Sequence, residues 1–193
     1  MNYKNFVGID YSISSPGITI LKDTNILTPH NCNHYFFNGL KKLTYANIVS
    51  NVHEFKYPEY TTQISKFSAL SSKVMEFLKE LDPKETLVAI EGYATGARGK
   101  VFHIGENTGI LKAKLHEAGF SIVPEELTSP KTIKKFTTGS GNAKKGDMYQ
   151  SYLKDGGNDI KLMLQPKKDI EKSFVADIID SYYLCKFATQ YTK

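Results

Sequence analysis

Polar residues interrupt the apolar runs of this chain at a few definite places. Three short apolar segments come first, at residues 5–10, 17–22 and 33–38, each of a length that suits a strand. The turn-prone Ser14-Ser15-Pro16-Gly17 separates the first two and predicts an antiparallel hairpin. Residues 38–60 are polar and aromatic without a clear period, which suits an extended loop or a fourth strand. From Thr62, a natural N-cap, apolar residues recur at Ile64, Phe67, Leu70, Val74, Phe77, Leu78 and Leu81. That helical spacing stops before Asp82-Pro83. Leu87-Val88-Ala89-Ile90 is continuously apolar, as in a strand covered on both faces.

The glycine-rich residues 92–99 do not suit a helix, but residues 100–118 do. That segment carries Val101, Ile104, Ile110, Leu111 and Leu115 to a stop at Gly119. Residues 121–124 predict a short strand, and Thr128-Ser129-Pro130 opens a helix with proline in its first turn. The loop 137–142 precedes a helix beginning near Lys144, Gly156-Gly157-Asn158 breaks it, and a last helix is expected over residues 169–190. Antiparallel strands followed by helix-strand alternation predict an α/β fold, a mixed sheet with helices on its faces. At 193 residues the whole chain, 1–193, is expected to form one domain.

Four acids stand where an isolated charge is costly. Asp10 ends the first strand and Glu91 ends the run 87–90. Asp177 and Asp180 sit three apart inside Phe174-Val175-Ala176-Asp177-Ile178-Ile179-Asp180-Ser181-Tyr182-Tyr183-Leu184. Burying such carboxylates costs several kcal/mol unless a counter-charge is at hand. A divalent cation is the natural one, and oxygen ligands favour magnesium or manganese. Ligands of mixed sheets collect at strand carboxyl ends, where Asp10 and Glu91 lie. The i, i+3 spacing puts Asp177 and Asp180 on one helical face with Phe174 and Leu184. Together the four acids suit two Mg²⁺ ions roughly 3.5–4 Å apart, the arrangement that clamps an in-line phosphodiester displacement by water. Each acid also has a plainer reading. Asp10 suits a turn cap, Glu91 an ion pair with Arg98 or Lys100, and the Asp177/Asp180 pair a polar stripe on a surface helix, although their neighbours leave little polar face.

Charge and composition narrow the setting. The net charge of +5 suits a polyanionic partner. It is concentrated in Lys131, Lys134, Lys135, Lys144, Lys145, Lys167 and Lys168, with Arg98 the only arginine. That favours recognition of backbone and shape over guanine edges. No apolar run approaches a membrane span, the start of the chain leaves no room for a signal segment, and Cys32 and Cys185 lack metal-site spacing. A cytoplasmic, reducing location and no membrane partner are therefore expected.

The order Gly8-Ile9-Asp10, Ala89-Ile90-Glu91, Thr138-Gly139-Ser140-Gly141-Asn142-Ala143-Lys144-Lys145 and Ala176-Asp177-Ile178-Ile179-Asp180 resembles the RuvC-type Holliday-junction resolvases of the RNase H-like superfamily. The resemblance covers most of the chain outside residues 38–60. It implies an RNase H-like five-stranded mixed sheet and a crossover junction endodeoxyribonuclease, a hydrolase of DNA recombination and repair. Asp10, Glu91, Asp177 and Asp180 would be catalytic metal ligands for two Mg²⁺, with Mn²⁺ able to substitute. Lys134 and Lys145 would be catalytic lysines near the scissile phosphate. A homodimer acting on four-way DNA is implied, with the helix 100–118 as its shared surface and Tyr93 or Phe102 as the aromatic pressed into the junction. Arg98, Lys100, Lys131, Lys135 and Lys144 complete the expected DNA contacts. The chain departs from the pattern at Tyr11, where the family has proline, and in its enlarged, aromatic-rich 38–60 segment. Its lysine-, asparagine- and isoleucine-rich composition fits an AT-rich genome such as a phage's or a virus's, which would place the protein in the host cytoplasm.

Two other classes compete. A sugar-kinase or actin-like ATPase shares the Gly8-Ile9-Asp10-Tyr11-Ser12 opening but needs two lobes, more than this chain can build. A non-catalytic DNA-binding protein on the same fold would be expected to lack one or more of the four acids. An RNA-processing nuclease is the remaining alternative.

Overall fold

A computed structural model describes residues 3–38, 45, 49–93, 101–166 and 173–191. Among these residues six strands form one mixed sheet: β1 (Asn5–Asp10), β2 (Gly17–Leu21), β3 (Cys32–Asn38), β4 (Val52–Lys56), β5 (Thr86–Ile90) and β6 (Ser121–Ile122). Their spatial order is β4-β3-β2-β1-β5-β6. The expected hairpin is present, with β2 antiparallel to β1 and to β3. The pairs β1–β5, β5–β6 and β3–β4 are parallel. The sheet therefore has six strands where five were expected. The additional strand is β4, inside the stretch 38–60 whose sequence carries no period. As an edge strand it is held by its ladder to β3 rather than by a two-sided apolar pattern.

Among the described residues six α-helices accompany this sheet: α1 (Gln63–Leu78), α2 (Val101–Glu117), α3 (Pro130–Thr138), α4 (Lys145–Lys154), α5 (Ile160–Leu164) and α6 (Phe174–Tyr191). Thr62 caps α1 as expected, accepting from the Ser65 backbone N–H at 3.2 Å. Ser129 caps α3 in the same way, with Pro130 in its first turn. The last helix begins at Phe174 rather than near residue 169, since Ser173 is a bend and residues 169–172 lie outside the described ones. The five-residue α5 was not expected. Asp159, whose side chain accepts from the Leu162 N–H at 2.8 Å, starts it.

Strand alternation sorts the side chains into two cores. Val7, Ile9, Val88 and Ile90 face α1 and α2, meeting Leu70, Val74, Leu111 and Leu115. Phe6, Leu87 and Ala89 face the other way, toward Ile178, Tyr182 and Cys185 of α6. Positions 6, 8 and 10 of β1 share that second face, as do 87, 89 and 91 along β5. Asp10 and Glu91 are thus set on the α6 side of the sheet by the two-residue period alone.

Candidate active site

Two glycines set how closely α6 approaches the sheet. A Cβ at Gly8 would overlap the Ser181 carbonyl oxygen and the Cys185 backbone nitrogen, and one at Gly17 would overlap the Asp177 carbonyl. Gly17 is the register partner of Asp10 across the hairpin. The same close approach therefore brings the first turns of α6 over the end of β1. Beneath the helix, Thr19 Oγ1 lies 2.9 Å from both Ser181 Oγ and His34 Nδ1, so these buried polar groups satisfy one another. Glu91, just past β5, stays tied to β1 through its N–H, which donates to the Ile9 carbonyl at 3.0 Å.

All four acids come within electrostatic reach of one another. Burial raises the Asp10 carboxyl well above the usual aspartate range, and Glu91, Asp180 and Asp177 push it further in the same direction. Glu91 is pushed up to about 7 by burial and by Asp180. Asp177 rises to about 6, mainly through burial, even though it accepts a hydrogen bond from Ser15 Oγ. Among the described residues Lys145, the first residue of α4, stands among them and pairs with Asp180. Burial works against its charge, but Asp180, Asp10 and Asp177 outweigh that and hold the ammonium above the ordinary lysine value. Asp147 steadies the start of α4 by accepting from the Lys144 N–H at 2.8 Å.

Among the described residues, Lys145 within the cluster and Lys134 beside it leave the four carboxylates short of positive charge. The donors are all carboxylate oxygens, the set that suits a hard divalent cation. Among the described residues no three His, Cys, Asp or Glu side chains are gathered into a cation cage. In this arrangement Ser15 and Lys145 hold Asp177 and Asp180. A cation could recruit those two acids by displacing such contacts, while Asp10 and Glu91 are placed by the strands themselves.

No family model and no curated protein matches the chain. Solved structures do. A Thermus thermophilus RuvC structure aligns with a TM-score of 0.57 over 97% of this chain and 96% of its own, at 16% identity. T. thermophilus RuvC in complex with a Holliday junction substrate aligns with a TM-score of 0.55 over 97% and 94%, at 12% identity. The fold is that of RuvC, RNase H-like. On this RuvC fold the remaining sequence candidates fall around the acids in different ways. Lys134, half-buried on α3, lies near enough for its charge to act on Glu91. Lys131, Lys135 and Lys144 are exposed. Tyr93 is 43% and Phe102 84% exposed, and Lys112 lies 4.9 Å from the Tyr93 ring centroid. Arg98, Lys100, Lys167 and Lys168 lie outside the described residues.

The α2 face expected to be shared between subunits is only partly open in the monomer. Leu111 is fully buried in its own core, packed with Leu115 against α1. Phe102, on the opposite side of the helix, and Ile104, two turns before Leu111 on the same face, are the exposed large apolar side chains of α2, while Val101 and Ile110 are half-buried. The sequence reading also missed Ser15, Gly8 and Gly17. A serine in a turn and glycines in or beside apolar strands carry no local mark of the partner they meet more than 150 residues away. Among the described residues, no helix is long and apolar enough to cross a membrane.

Proposed function

We propose that this protein is a metal-dependent endonuclease that resolves four-way DNA junctions by paired phosphodiester cleavage. The observation that carries the reading is the convergence of Asp10 and Glu91 at strand ends with Asp177 and Asp180 from α6 on a RuvC fold, with Lys145 paired among them. Asp10, Glu91, Asp177 and Asp180 would hold magnesium, or manganese in its place, two ions per site. When bound there, the ions supply an attacking water of lowered pKa and positive charge for the reacting phosphate.

The chain's own groups would divide the other tasks. Lys145, half-buried among the acids, would meet the charge that builds on the scissile phosphate, supported by Lys134 from α3. The exposed Lys131, Lys135 and Lys144 would contact the DNA backbone and orient the duplex arms without reading sequence. Tyr93 and Phe102 offer rings on which an unpaired base at the branch could stack. Two equivalent scissile phosphates call for two acid clusters, so the working form would be a homodimer.

Incubation with labelled four-way junctions, flaps, forks and linear duplexes, in Mg²⁺ and in EDTA, tests the proposal. Paired incisions in the junction, dependent on Mg²⁺, are expected. Equal cutting of flaps and linear DNA would reduce the reading to a general nuclease, and no cutting of any DNA would overturn it.

A further inference from the structure

The acid cluster opens into a cleft of about 480 Å³ lined in part by Asp10, Glu91, Ser14, Tyr93 and Lys66. A second cleft of about 550 Å³ begins where the first reaches Ser14 and Lys66, which line both, and continues along Tyr57, Pro58 and Tyr60. The two form one path leading from the acids past Lys66 to a pair of tyrosines.

The far limb is organised. The Tyr57 hydroxyl donates to the Ile13 carbonyl at 2.5 Å, which ties its ring to the loop that follows Asp10. Tyr60 meets Tyr57 edge to face at 6.3 Å and leaves about half of itself (51%) exposed. Lys66 Nζ lies 5.2 Å from the Tyr57 ring centroid and 5.1 Å from that of Tyr60. The acid lining this limb, Glu59, pairs with Lys56 at 3.8 Å. Among the described residues, Lys66 keeps its ammonium over aromatic faces rather than against a carboxylate, so its charge is open to an anion from solvent.

We propose that this limb holds an unpaired nucleotide of the DNA strand whose phosphate lies at the acid cluster, with its base on the Tyr60 ring and a backbone phosphate on Lys66. An exposed aromatic face beside a cation, at the end of a groove, is the combination that tracks single strands irrespective of sequence. A base held in a duplex cannot present its face to Tyr60, so the site selects strand that is frayed or single near the branch. The inference rests on reading the acid cluster as a nuclease site, and it assigns to residues 57–66 the direction in which the strand leaves that site.

The test uses the full chain in EDTA with fluorescent oligothymidylate over a range of salt concentrations. Tyr60→Ala should weaken binding about tenfold while Tyr60→Phe, which keeps the ring, should not. Lys66→Gln should reduce the slope of log affinity against log salt by about 0.7, one single-strand phosphate contact. Cleavage of a four-way junction in Mg²⁺ is then measured separately. A protein that cuts junctions but whose oligothymidylate affinity is indifferent to both Tyr60→Ala and Lys66→Gln overturns the strand site and leaves the nuclease reading standing. A protein that cuts no DNA but binds oligothymidylate through Tyr60 and Lys66 supports the strand site and overturns the nuclease reading.

Discussion

Asp10 is only 8% exposed, and three other carboxylates add to the cost of its charge. Replacing it with asparagine, or Glu91 with glutamine, should cut single-turnover cleavage at least about a hundredfold. Junction affinity measured without Mg²⁺ should hold or rise, because a negative charge has left the DNA-facing site. Lys145→Ala should also act on the chemical step, again about a hundredfold at saturating DNA, since a charge placed at the phosphate is felt mainly in the transition state. A Lys145→Ala protein that cleaves at the normal rate once saturated would remove that residue from the catalytic set. The raised acids also predict a pH signature. Glu91 moves from 4.5 in the unfolded chain to about 7 in the fold, so the folded state binds more protons in that window. Its contribution favours the fold below about 4.5 and is lost as pH rises to about 7. Without divalent cation, Glu91→Gln should melt like the wild type at the acid end and become increasingly more stable than it up to pH 7. Taking this difference cancels His34, whose burial lowers its pKa to about 4 and drives stability in the opposite direction.

The helix α6 lies across β1 and β2 because Gly8 and Gly17 present no side chain to it. Overfilling such a contact forces backbone to move, and Gly8→Ala should cost about 1–3 kcal/mol in urea denaturation. It should also slow cleavage although no acid changes, since α6 carries Asp177 and Asp180 toward Asp10. Loss of stability with full activity would mean that the acids do not need this seating. Most elements were legible from the sequence because their signals are local: the hairpin turn at residues 14–17, the Thr62 cap, and the proline that opens α3. β4 was left open and α5 unforeseen, since a ladder to a neighbouring strand and a single capped turn leave no long apolar period to read.

The assembly expected for a symmetric junction is a dimer, and the fold limits which surface can build it. Leu111 and Leu115 are spent on the monomer's own core, so within α2 the exposed Phe102 and Ile104 near its start are the apolar side chains open to another copy or to DNA. Light scattering at micromolar concentration with junction DNA present should give the mass of two chains plus one junction. Phe102→Asp should impair dimer formation or junction binding without lowering the melting temperature, because the side chain is 84% exposed. A protein that remains a monomer with junction DNA, and cuts flaps as readily as junctions, would point to a general structure-selective nuclease.

The sequence by itself determined the order of the strands and helices other than β4 and α5, the strand-end positions of Asp10 and Glu91, and the shared face of Asp177 and Asp180. These follow from periods of two and of about 3.6 residues, which a linear chain records. It also marked Lys145 and Lys134 as basic residues of interest, through a family resemblance rather than through any spacing. Only the tertiary structure decided that Lys145 pairs with Asp180, that Ser15 holds Asp177, and that Lys66 stands between the acids and two tyrosines. Each of these depends on how closely helix, strand and loop approach. That approach is set by packing between residues far apart in the chain, such as Gly8 against Ser181 and Cys185, which no local pattern encodes.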